Sequence, residues 1–242
     1  LKGYSLTIPI VDAAKAPVAA APAEPPPAAA SQPNPERNAY FGETHIHTSW
    51  SVDAWVMGSR ITGPTEAYHY AKGGTIKHPM GFDIKIDTPL DFMGVTDHSE
   101  YVGVTKQANT PGSYVSTLPA AQPMIMKDPT SSEEQNRVFS YLLKLAASAP
   151  VKALMDPKIT SSVWKENVQI ADEANQPGKF TAFCSYEWTS MPDGRNLHRN
   201  IFFRDCAKVP DYPFSALDST KPTELWNWMD AQRKGGNELL AI

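Results

Sequence analysis

The chain predicts an α/β fold of largely parallel strands, either an open sheet or a barrel. Three observations carry that expectation. Short apolar runs alternate with stretches of helical periodicity from about residue 38 onward, the helices are punctuated by proline at their starts and glycine after their ends, and no internal repeat is evident. With 242 residues, 41% apolar and 10% aromatic, the chain can bury a full core and reads as one domain or a large piece of one.

The first 37 residues stand apart. Residues 11–36, VDAAKAPVAAAPAEPPPAAASQPNPE, are dominated by alanine and proline and contain no aromatic side chain. Such a composition cannot bury enough surface to fold, so 1–37 is expected to be an extended segment or linker, with the folded domain over 38–242. Residues 1–10, LKGYSLTIPI, could be an edge strand or the tail of a preceding element.

Along the domain, Tyr40 to His45 reads as a strand and Pro64 to Ala71 as a helix with proline in its first turn. Asp91 to Thr96 is a short apolar run suited to a buried strand. Residues 101–130, rich in Thr, Ser, Pro and Gly, read as a long excursion of the kind that covers a site. Glu133 to Ala149 carries Val138, Leu142, Leu145 and Ala149 at helical spacing, and Ser161 to Asn175 is a second helix ended by Pro177-Gly178. Phe180 to Glu187 and Asn200 to Arg204 favour strands. Pro222 to Lys234 is a helix in which Leu225, Trp226 and Met229 fall at core spacing, so Trp226 and Trp228 are expected to pack. Leu239 to Ile242 begins a strand, and a strand without a following helix is odd for a βα repeat. The domain is therefore expected to continue past it.

Composition narrows the function. A net charge of -4 and a pI near 5.9 leave no basic excess for nucleic acid as a bulk partner. No apolar run is long enough to span a membrane. No Walker or Rossmann glycine loop and no G-x-S-x-G elbow occurs. The two cysteines, Cys184 and Cys206, could pair in an oxidising compartment or stand as buried thiols.

Chemistry concentrates at strand ends. His45 and His47, two apart on a strand, can converge on one ion, and neutral imidazole suits Zn, Mn or Fe. An isolated His-x-His is weak, but this pair lies where a strand runs into the polar segment Thr48 to Asp53, and α/β sites form outside carboxyl strand ends. Thr96-Asp97-His98 repeats the arrangement, with His98 as a ligand and Asp97 orienting a neighbour; the competing reading is a simple turn. Glu187 ends its strand and His198 follows the polar turn TSMPDGRN; a carboxylate can bridge two ions while an imidazole caps one. Arg195 and Arg199 flank His198 and could hold a substrate anion, or be solvated. His69 and His78 read as surface residues.

The segments FGETHIHTSWSVDA, LDFMGVTDHSE, FCSYEWTSMPDGRNLHRNIFF and DSTKPTELWNWMDAQRKGGNELLAI, taken in order, resemble the DUF3604 family, a branch of the polymerase and histidinol phosphatase (PHP) superfamily. The resemblance implies a distorted (β/α)7 barrel with a trinuclear site at the carboxyl strand ends. It implies metal ligation by His45, His47, Asp53, His98 and His198, and a bridging role for Glu187. Further ligands, a His and an Asp-x-His, are expected beyond Ile242, leaving this barrel incomplete.

The function expected is hydrolysis of a small anionic phosphoester, with two or three ions of Zn, Mn or Fe lowering the pKa of a bridging water toward ~7. Asp97 and Arg199 are the candidate catalytic residues outside the ligand set. Hydrolysis of a carboxyl ester or amide, and a metal-binding barrel without turnover, are the alternatives. The Ala/Pro segment and the possible cysteine pairing suggest a periplasmic or secreted location, with a cytoplasmic one as the alternative.

Overall fold

Seven strands and six α-helices run along residues 38–242, the part of the chain that the computed structural model describes. In chain order they are β1 (Gly42–Ile46), α1 (Val52–Val56), α2 (Pro64–Ala71), β2 (Ile76–Lys77), β3 (Asp83–Ile84), β4 (Phe92–Val95), α3 (Val104–Ala108), α4 (Ser132–Ala146), α5 (Thr160–Ala174), β5 (Thr181–Ser190), β6 (Leu197–Phe203), α6 (Pro222–Lys234) and β7 (Leu239–Ala241). The expected linker, 1–37, lies outside the described residues.

Five strands form one mixed sheet in the order β1-β4-β5-β6-β7, while β2 and β3 make a small antiparallel pair. The pairs β1–β4 and β4–β5 are parallel, but β6 is antiparallel to both β5 and β7. The expectation of largely parallel strands thus holds for the first half of the sheet only. Between Ser190 and Leu197 there are too few residues for a crossover, so β6 must return as a hairpin partner.

Side-chain alternation in β5 assigns the two faces of the sheet. Cys184, Tyr186 and Trp188 point into a core shared with Tyr68 and Ala71 of α2, Trp164 and Ala171 of α5, and Leu225 and Met229 of α6. Each large side chain buried there contributes roughly 1.5–3 kcal/mol. Ser185, Glu187 and Thr189 therefore face the other side. The Tyr68 hydroxyl fixes α2 to the sheet, donating to the Phe183 carbonyl at 3.0 Å and accepting from the Val95 N–H at 3.3 Å.

The sheet is strongly curled. Asn200 on β6 donates its side-chain N–H to the carbonyl of Thr44 on β1 at 2.8 Å, although β4 and β5 lie between those strands.

A second core packs Trp55 and Val56 of α1, Val104 and Ala108 of α3, and Val138, Leu142 and Leu145 of α4. The segment 101–130 is part of it: α3 and two 3-10 turns, Val115–Thr117 and Pro119–Met124, bury Val115, Ala121 and Met124. It is a folded layer and not an open excursion. Helix α4 starts on Ser131, whose hydroxyl accepts from the Glu134 N–H.

In α6, Leu225 and Met229 are buried as expected, but Trp226 is 39% exposed. Trp228 instead packs, stacking on Phe214 with ring centroids 5.4 Å apart. Cys184 and Cys206 form a disulfide joining β5 to the turn after β6. No described helix is long and apolar enough to cross a membrane.

Candidate metal centre

The carboxyl ends of β1, β4 and β5 lie along one edge of the sheet, and the antiparallel β6 begins at that same edge. All six residues expected as ligands meet there. Three overlapping triads, His45/His47/Glu187, His47/Asp53/His98 and His98/Glu187/His198, each bring ligand atoms within 4.8 Å of one another.

Local structure explains how each arrives. Strand β1 has one extra residue against β4 between Glu43 and Ile46, a bulge that re-aims the side chains beyond it. Thr96 pins the end of this strand, its Oγ1 accepting from the Ile46 N–H at 2.9 Å. After this turn His45 and His47 bring their Nε2 atoms to 3.1 Å apart. His98 is held opposite Glu187 by a parallel bridge in which the Glu187 N–H donates to the Asp97 carbonyl and the Ser99 N–H to the Glu187 carbonyl.

Glu187 is fully buried and surrounded by imidazoles. His98, His198, His45 and His47 place ring nitrogens 2.7, 3.0, 3.1 and 3.4 Å from its two carboxylate oxygens. It lies inside β5, not at its end: the strand continues to Ser190 and pairs residue for residue with β6, Glu187 opposite Asn200 and Thr189 opposite His198. His198 likewise lies within β6, not ahead of it. Because paired residues share a face, Glu187 and His198 point the same way.

Asp53 is not in a loop but near the start of α1. Its carboxylate accepts from Ser51 Oγ at 2.7 Å and approaches His98 Nε2 at 3.4 Å. Ser51 Oγ also meets His47 Nδ1 at 2.9 Å, so one hydroxyl orients both a carboxylate and an imidazole.

Electrostatics follow from this crowding. Burial raises the carboxyls of Glu187 and Asp53, but hydrogen bonds and attraction from the surrounding imidazoles outweigh it and hold both well below the usual range. Burial lowers His98, yet its bonds to Asp53 and Glu187 carry it up to about 10. Burial and the neighbouring His98 push His47 down to about 4.

Asp97 faces away from the cluster. Its two oxygens accept from the Thr48 N–H at 2.5 Å and the Thr48 hydroxyl at 2.6 Å, while burial lifts its pKa to about 6. It clamps the β1 exit to the β4 exit. Arg199 pairs with Trp188, so strand alternation directs it to the face away from His198; its guanidinium donates to the His198 carbonyl at 2.6 Å. Arg195 is exposed and paired with Asp193. His69 is exposed, and His78 is partly covered by Phe82, on which it stacks with centroids 4.3 Å apart.

Sequence reasoning missed Glu100. Its Oε1 accepts from the Thr189 N–H at 3.1 Å and the Ala216 N–H at 2.6 Å, tying β5 to the loop before α6. Nothing in a lone acid two residues after His98 marks that role. Ser51 was missed as well: it stands at the start of α1, but its hydroxyl does not cap the helix and goes to Asp53 and His47, a role that residue type alone does not mark.

A mixed α/β domain that gathers four imidazoles and two carboxylates at one sheet edge defines a protein with a candidate metal-binding centre. The chain belongs to the family described as "Protein of unknown function (DUF3604)", whose model matches residues 34–242. No curated protein and no solved structure matches it.

Proposed function

We propose that this chain is a metal-dependent hydrolase of the PHP superfamily that cleaves phosphoesters. The observation that carries the reading is Glu187: a fully buried carboxylate ringed by four imidazole nitrogens at 2.7 to 3.4 Å. A buried carboxylate is tolerated when its charge is compensated: in the metal-free chain protonated His98 does so, and divalent ions shared among the four imidazoles would do so when bound.

The donor set fits two or three divalent ions. His47, His98 and Glu187 each belong to two of the three triads, as shared ligands of a compact cluster would. One ring nitrogen of His198 faces Glu187 while the other is buried without a partner. Imidazole with carboxylate suits Zn, Mn or Fe. When bound, such ions lower the pKa of water toward neutrality and neutralise charge developing on the ester oxygens.

The chain's own residues do the rest. Ser51 and Thr189 hydrogen-bond His47 and His98 and fix their ring orientation, and Asp97 locks the strand exits that carry the histidines. The Asn200 to Thr44 bond across two intervening strands supports a sheet curled toward a barrel. The disulfide supports an exported protein.

The test is elemental analysis of the purified chain, followed by assays on phosphomonoesters, phosphodiesters and carboxyl esters with added Mn or Zn. We expect at least two ions per chain and turnover of a phosphoester that His47→Ala abolishes. Ester or amide turnover alone would move the reading to an acyl hydrolase, and metal without any turnover to a binding protein. A chain that takes up no metal sinks it.

A further inference from the structure

Beside the cluster lies a cavity of about 510 Å³, walled on one side by Asp53, His98 and His198. Helix α4 also lines it, and the sequence of that helix is unusual for one at a surface. Val138, Leu142 and Leu145, at i, i+4 and i+7, form the stripe that enters the second core. One residue further on, Phe139, Leu143 and Ala146 repeat the same spacing and line the cavity. A helix with a single core face would place polar side chains there. Here Phe139 and Leu143 are 36% and 44% exposed, apolar, and turned toward a charged centre.

We propose that the substrate is an amphiphile, an anionic ester of an alkyl or aryl alcohol. Its head sits at Asp53, His98 and His198, and its hydrocarbon body lies on Phe139, Leu143 and Ala146. The single cavity is continuous between the two walls, so one molecule spans both. Its volume suits a drug-sized ligand, enough for an aromatic ring or a medium alkyl chain beside the head group. A sugar phosphate or nucleotide would find polar partners in Asn196, Ser219, Thr220 and Lys221, which also line the cavity, but any hydroxyl or ring nitrogen laid on Phe139, Leu143 and Ala146 would be desolvated and unpaired. The identity of the head group rests on the phosphoester reading above; the apolar body rests on α4 alone.

The experiment is calorimetric titration of the manganese-loaded chain with methyl-, butyl- and octylphosphonate, which mimic the ester but are not hydrolysed. The Kd should fall by up to about fourfold per added methylene until the apolar wall is covered. Leu143→Glu and Phe139→Asp should flatten that dependence, with thermal melts showing that both variants remain folded. A wild-type series in which Kd does not depend on chain length overturns the proposal, as does a slope that survives in both variants. Hydrolysis assayed on the same preparation separates the two claims. A steep series without phosphoester turnover keeps the amphiphile and sinks the phosphoesterase; turnover with a flat series does the reverse. Failure of every phosphonate to bind overturns the amphiphile outright.

Discussion

Glu187 shows how one side chain can decide a site. In β5 it follows Cys184 and Tyr186 and precedes Trp188, all in the core, yet its own position in the alternation places it on the opposite face among four imidazoles. His198 and His98 hold its carboxyl pKa low, and Asp53 and Glu187 hold the pKa of His98 up, so Glu187 and His98 each favour the other's charged form while metal is absent. Removing one partner of a buried charged pair is costly because the other charge is left uncompensated. Glu187→Gln should therefore lower the stability of the metal-free chain by about 3 kcal/mol at neutral pH, read by urea denaturation. It should also remove at least one ion from the metal content, because two of the three ligand triads contain this residue. A variant that keeps wild-type metal stoichiometry would show that Glu187 is a spectator.

At the level of elements, much was legible because periodicity and punctuation are local. Pro222 and Gly235 bracket α6, and Val138, Leu142 and Leu145 mark α4, both where expected. The strand ends at His45-Ile46-His47 and Thr96-Asp97-His98 were legible because an apolar run stops abruptly on imidazole. Helix α1 was not, since five residues make too few turns to show a period. The extent of β5 was misread because Met191-Pro192 looked like the middle of a turn that began at Thr189. The alternation of Cys184, Tyr186 and Trp188 against Ser185, Glu187 and Thr189 was the available signal that the strand ran on. The direction of β6 is a tertiary fact that residue types do not encode; only the short connection hinted at it. The disulfide fastens this hairpin from the helix-covered face, joining positions 22 apart in sequence. Closing a loop of that size restricts the unfolded chain by about 3 kcal/mol. Replacing both cysteines by alanine should lower the urea midpoint accordingly, and reductant should destabilise the wild type but not the variant. Equal midpoints under reducing and oxidising conditions would mean that the bond contributes nothing.

Across the whole molecule, two cores meet at the site: one lies between the sheet and α2, α5 and α6, and the other joins α1, α3 and α4. The cluster draws ligands from β1, β4, β5 and β6 and from α1 of the second core, so its protonation is linked to the stability of both layers. The sign of that linkage can be worked out group by group. His98, raised from 6.5 to about 10, lends stability that is complete below about pH 6.5 and is lost as pH climbs through 10. His47, lowered from 6.5 to about 4, acts the other way, and its contribution is lost as pH falls from 6.5 toward 4. Asp53 and Glu187, depressed from 3.8 and 4.5, add a further loss below those values. Asp97, raised from 3.8 to about 6, opposes His47, its contribution being lost as pH rises through that span. The metal-free chain should therefore keep a nearly level midpoint from about pH 4.5 to 6.5 and decline above 6.5, through His98, and below about 4.5, through Glu187 and Asp53. Loading with metal should reverse the alkaline limb, because a ligating His98 must be neutral and each ion bound through it expels a proton. Metal affinity should then rise with pH by up to about tenfold per unit between pH 7 and 10, one proton being released per His98 engaged. Calorimetric scans of the metal-free protein, and metal titrations in buffers of different ionisation enthalpy, read the two effects separately. If the metal-free midpoint stays flat from pH 6.5 to 10, or His98→Gln keeps the wild-type alkaline decline, the coupling between His98 and its two carboxylates is not what holds the layers together.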